Sequence, residues 1–179
     1  MMTSEKSPIS FNVDIRRLPQ KGFPLVIEPT EAELAALAKQ HGLISIPSFR
    51  AELLVRDWKK SGVSVTGRVV AGIVQECIVS LDPIAADIDE VIDAVFVPEG
   101  SALARPDFVD GEMFLDADGP DVPETFNGNN LDVGALADEF FALGIDPFPR
   151  KPDAELAASA EFSEESSPFA KLRDSLQKR

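Results

Sequence analysis

The sequence predicts an α+β fold, with a mostly antiparallel, strongly bent or barrel-like sheet, two main helices and a short C-terminal helix. Three observations lead there. Apolar residues alternate with polar ones in several stretches between residues 10 and 97, the period of half-buried strands. Two other stretches, 31–41 and the one after Asp132, carry apolar residues at helical spacing behind a capping residue. The order strand, helix, strands, helix suits helices segregated from an antiparallel sheet.

Phe11, Val13 and Ile15 alternate in residues 10–16, which predicts the first strand. Residues 23–27, Phe-Pro-Leu-Val-Ile, predict a second, with Pro24 marking an edge or a strand start. Thr30 and Glu33 then have capping-box spacing, and Leu34, Leu37 and Ala38 form an apolar stripe, so 31–41 reads as a helix ending near His41-Gly42. From Ile44 to Leu81 the pattern is a long hairpin, with Lys59-Lys60-Ser61-Gly62 as its turn. Gly67 and Gly72 in the return strand suggest a bulge or sharp bend. Residues 86–97 predict another strand, 101–130 an acidic loop with one short strand near Met113–Leu115. Asp132 caps a helix that carries Leu136, Phe140, Phe141 and Leu143 and ends near Gly144.

These elements fit a single domain over residues 1–149. Residues 150–166 are polar and alanine-rich and read as a linker. In 167–179, Ser167-Pro168 opens the short terminal helix. An apolar content of 44% suits one globular core, and no apolar run approaches the ~20 residues of a membrane span. The N-terminus lacks a secretory h-region and there is one cysteine, Cys77, so the expected setting is the cytoplasm, without disulfides.

The net charge of −14 is unevenly distributed. Residues 1–70 carry +3, residues 71–149 carry −17 with Arg105 as their sole base, and 150–179 are neutral. Such a division bears on partners and solubility rather than on fold.

The search for catalytic chemistry yields little. Any triad would have to use His41, the single histidine, which sits at a helix C-terminus where an imidazolium is favourable anyway. Cys77 reads as a core residue of a buried strand, with no basic neighbour in sequence to lower its pKa. Asp116-Ala117-Asp118-Gly119-Pro120-Asp121 fails as a calcium loop, because Asp121 and Asn127 occupy the places of the required glycine and glutamate. Asp87 and Asp89 share a strand face and suit an exposed acidic surface better than a metal pair. No phosphate-binding glycine loop is present. We therefore expect neither catalytic residues, metal nor cofactor. What remains is a basic-aromatic cluster, Arg50, Arg56, Trp58, Lys59, Lys60 and Arg68 on the hairpin, with Arg16, Arg17 and Lys21 nearby, which suits phosphate contact and base stacking.

Several stretches, taken together, resemble the YceD family of large-subunit ribosomal RNA accumulation proteins, in particular its alphaproteobacterial members. They are Val13-Asp14-Ile15-Arg16-Arg17-Leu18-Pro19, Phe49-Arg50-Ala51-Glu52-Leu53, Cys77-Ile78-Val79-Ser80-Leu81-Asp82-Pro83 and Ile88-Asp89-Glu90. Gly119 to Glu124, Leu131-Asp132-Val133-Gly134 with Asp138-Glu139, and Ser167 to Leu172 follow in the same order. Many family members have a second cysteine where this chain has Ser80, and some a cysteine cluster where it has Phe148-Pro149-Arg150-Lys151, so one thiol cannot form such a site here. The resemblance implies a non-catalytic factor that binds ribosomal RNA or a large-subunit precursor. Cys77, Leu81, Pro83, Asp132, Gly134 and Glu139 are then structural motif residues. The acidic 82–130 stretch would face a basic partner such as a ribosomal protein, and the alternative is an acidic adaptor or chaperone for such a protein without RNA contact.

Overall fold

Alternating apolar residues and a short turn after Trp58 give the long hairpin its form: β3 (Ser45–Trp58) and β4 (Gly62–Glu76) pair antiparallel, and β5 (Pro83–Pro98) pairs antiparallel with β4. The computed structural model describes residues 7–59, 61–104, 123–152 and 154, together with the backbone of strands at 107–109 and 112–114. The edge strand β2 (Phe23–Ile27) lies antiparallel beside β3, and β8 (Glu124–Phe126) lies parallel beside β5, giving the order β2-β3-β4-β5-β8. With β2 and β8 as edges, these strands form an open sheet rather than a closed barrel. Two small pairs complete the strands: β1 (Asn12–Asp14) with β9 (Asn130–Asp132), and β6 (Asp107–Val109) with β7 (Glu112–Phe114).

Strand geometry sends successive side chains to opposite faces. One face of the sheet buries Phe49, Val55, Val65, Val69, Ile88 and Ile92. It is covered by α1 (Glu31–Gln40), packed on β3 through Leu37 and Ala38, and by α2 (Val133–Leu143), packed on β4 and β5 through Leu136, Ala137 and Phe141. Phe141 is fully buried, its ring 5.4 Å from that of Phe49 and 5.5 Å from that of His41. Burying such a ring contributes about 3 kcal/mol. The opposite face exposes Val26, Val70 and Val91, and no described helix covers it.

Local signals were sound guides to the elements. The capping box at Thr30 forms, with Glu33 N–H donating to the Thr30 hydroxyl and the Thr30 N–H to the Glu33 carboxylate. Asp132 caps α2, and Pro24 sits on an edge strand as expected. Three readings need correction. The first strand is only three residues long, because Asp14 accepts a hydrogen bond from the Arg16 N–H and turns residues 15–17 into a 3-10 helix. The return strand stops at Glu76, so Cys77 lies in a buried turn rather than a strand. Pairing runs unbroken through Gly67 and Gly72, and the irregularity falls between Ser45 and Ser48. Gly67 instead permits close approach, since a Cβ there would sit 2.1 Å from the Glu52 carbonyl oxygen. The terminal helix over 167–179, the calcium-like loop and nearly all of the 150–166 linker lie outside the described residues.

Candidate functional site

The pairing register decides which charges meet on the open face. Arg50 lies opposite Val70, beside Glu52 two residues along and next to Glu28 at the end of β2. Its guanidinium bonds to both carboxylates, with an Nη2 to Glu52 Oε1 distance of 2.8 Å. Arg68, opposite Val91, reaches the diagonal neighbour Asp89 through two hydrogen bonds. These bonds hold the Asp89 carboxyl below its ordinary range, although burial opposes them. Two of the predicted phosphate contacts are thus already occupied by carboxylates. Exposed pairs of this kind contribute only ~0–1 kcal/mol each to stability, but they cancel the charge offered to a polyanion.

At the far end of the hairpin the cluster is freer. Arg56 has no ion-pair partner among the described residues, and Lys59 places its Nζ 4.1 Å from the Trp58 ring centroid. Trp58 is half-buried over Gly62, where an added Cβ would lie 2.8 Å from the indole. Gly22, at a φ of +86°, packs against the Arg56 side chain and brings exposed Lys21 to the same end. Lys60 lies outside the described residues. Near the N-terminus, Arg16 is bidentate to Asp14, whose carboxyl it holds down to about 2, whereas Arg17 is largely exposed, 3.9 Å from the same carboxylate.

The motif residues sit at the other end of the sheet and at the start of α2. The β4–β5 turn is closed by Cys77 N–H donating to the Asp82 carbonyl (2.8 Å) and Leu81 N–H to the Cys77 carbonyl (2.9 Å). It is tied to the segment after α2 by Ile78 N–H to the Pro149 carbonyl (3.0 Å) and Lys151 Nζ to Asp82 (2.9 Å). The Cys77 thiol is held down to about 6 by the Ser80 hydroxyl and by the N–H groups of Lys151, Ser80 and Val79, against the effect of burial. The absence of a basic neighbour in sequence gave no hint of this, because the donors are a hydroxyl and backbone N–H groups brought together by the fold. Leu81 is exposed at a φ of 62°, and Pro83 begins β5.

Asp132 accepts from Gly134 and Ala135 in α2 and from Phe11 N–H and the Ser10 hydroxyl, so it joins the N-terminal strand to the helix. Burial raises its pKa, but these four donors prevail and lower it. Glu139 is partly covered, and burial, then Glu124 and Asp138, push its pKa up. One constellation escaped sequence reading. Buried Asp138 on α2 lies 2.6 Å from His41 Nε2 and accepts from the Gln40 amide at 3.1 Å, which clamps α1 to α2.

Asp87 and Asp89 do share the open face, with Asp89 engaged by Arg68. No group of three or more His, Cys, Asp or Glu among the described residues is placed to hold a metal ion. No helix among them is long and apolar enough to cross a membrane. No family model, curated protein or solved structure matches the chain.

Proposed function

We propose that this chain is a non-catalytic cytoplasmic accessory factor for the accumulation of large-subunit ribosomal RNA, acting by binding within a precursor particle. The ordered YceD-like segments support the reading. Three of the segments that carry them lie at joints of the fold: the Cys77 turn, the Asp132 cap and the β1–β9 pair. The observation that supports this mode is the occupation of Arg50 and Arg68 by Glu28, Glu52 and Asp89. Direct RNA contact is then confined to Arg56, Trp58, Lys59 and their basic neighbours, and serves a local encounter rather than broad affinity.

A second reading, an acidic adaptor or chaperone for a basic ribosomal protein without RNA contact, is favoured by the surplus of carboxylates on the open face. Sucrose-gradient fractionation of a lysate, with ribosomal RNA measured in a deletion strain, tests the proposal. The protein should travel with large-subunit precursors and its loss should deplete their RNA; a protein found only at the top, with normal RNA, overturns it. Charge reversal at Arg56, Lys59 and Lys60 separates the two readings, since the adaptor tolerates it.

A further inference from the structure

The open face of β3, β4 and β5 mixes exposed apolar groups with unbalanced charge. Val26 and Val70 are each 47% exposed and Val91 67%. Val70 and Val91 stand on adjoining strands one register step apart, since Val70 faces Asp89 and Val91 faces Arg68. Beside them a groove of about 570 Å³ is bounded by Pro24, Val26, Glu52, Leu54 and Thr66. Six carboxylates on this face, Glu28, Glu52, Glu76, Asp87, Asp89 and Asp93, outnumber its three guanidinium groups, Arg50, Arg56 and Arg68. The internal ion pairs engage Glu28, Glu52 and Asp89, whereas Asp87 and Asp93 have no ion-pair partner among the described residues.

We infer that this face docks a basic, amphipathic protein segment, which sets apolar side chains on Val70 and Val91 and Lys or Arg side chains on Asp87 and Asp93. The inference deepens the proposed function, on whose particle-bound reading it rests. A cation arriving at Asp87 or Asp93 displaces no existing pair, so its attraction is not offset by a broken one. Phosphate is repelled at the same positions, which favours protein over nucleic acid. The valines supply the non-directional part, since apolar area removed from water is what an ordinary polyelectrolyte contact lacks.

The test uses the full chain and labelled synthetic peptides, read by fluorescence anisotropy. A Lys/Leu amphipathic peptide should bind, and a Lys/Ser peptide of equal charge should bind at least about tenfold more weakly. Two variants, Asp87→Lys/Asp93→Lys and Val70→Thr/Val91→Thr, change exposed positions only. Each should weaken the Lys/Leu peptide by about tenfold or more while thermal melts stay unchanged. Protection of β4 and β5 amides by the peptide places it on this face. Equal binding of the two peptides, wild-type affinity in either variant, or competition by a single-stranded RNA oligonucleotide overturns the inference. So does tighter binding in Lys171→Glu/Arg173→Glu, because the chain's own basic C-terminal stretch would then be the occupant. Peptide binding by a chain that never enters precursor particles leaves this surface standing and sinks the proposed function; particle entry that survives both variants, without peptide binding, does the reverse.

Discussion

Cys77 has no exposed surface, and burial alone raises a thiol's pKa, yet this one falls from its ordinary 9.0 to about 6. The donors responsible are the Ser80 hydroxyl, the Lys151 N–H from the segment after α2, and turn N–H groups, among them that of Ser80, 3.5 Å from the sulfur. Between those two values the native state binds fewer protons than the unfolded chain, so stability rises with pH across the window and is lost as pH falls through about 6. Denaturant midpoints followed from acid to alkaline pH should show this rise in the wild type and a flatter profile in Cys77→Ser. A second residue-scale case is His41 with Asp138. Its helix-end placement was legible in sequence, whereas its partner, 97 residues away, was not. Removing the imidazole leaves a buried carboxylate with one fewer donor. His41→Ala should therefore cost about 3 kcal/mol, and His41→Leu/Asp138→Leu distinctly less than the sum of its single changes, in equilibrium urea unfolding.

At the scale of elements, the start of α2 shows two opposing effects whose sizes decide the outcome. Replacing glycine by alanine inside a helix normally stabilises by ~1 kcal/mol. At Gly134 the new Cβ would lie 2.6 Å from the Phe11 backbone nitrogen, a contact with main chain that no side-chain rotation relieves. Gly134→Ala should therefore destabilise by about 1–3 kcal/mol in thermal or urea unfolding, despite its better propensity. Asp132→Ala removes the cap and the two bonds to Ser10 and Phe11, and should cost ~2 kcal/mol, the upper end for a cap. The contrast explains what the sequence could reveal. Caps, periods and turns are encoded within a few residues, so α1 and α2 were readable with nearly correct ends, and the β3–β4 hairpin in all but the end of its return strand. The β1–β9 pair and the parallel β5–β8 contact depend on β8 and β9, strands of three residues each and too short for a periodic signal.

For the whole molecule, the division of charge along the chain does not map simply onto the surface. Arg50 and Arg68 come from the basic first part, but folding sets them against Glu28, Glu52 and Asp89. A linear count treats these groups as available, whereas the register spends them inside the sheet, so the basic hairpin presents a net acidic flank and a basic end. This yields a test that runs opposite ways for the two modes of binding. Arg50→Gln/Arg68→Gln removes only exposed pairs and should leave thermal stability nearly unchanged. It also frees three carboxylates on the open face. If the face holds a basic protein segment, association with precursor particles on a gradient should persist to higher salt than in the wild type. If these arginines touch RNA, the same variant should release particles at lower salt, with the salt slope reduced by roughly one phosphate for each arginine lost.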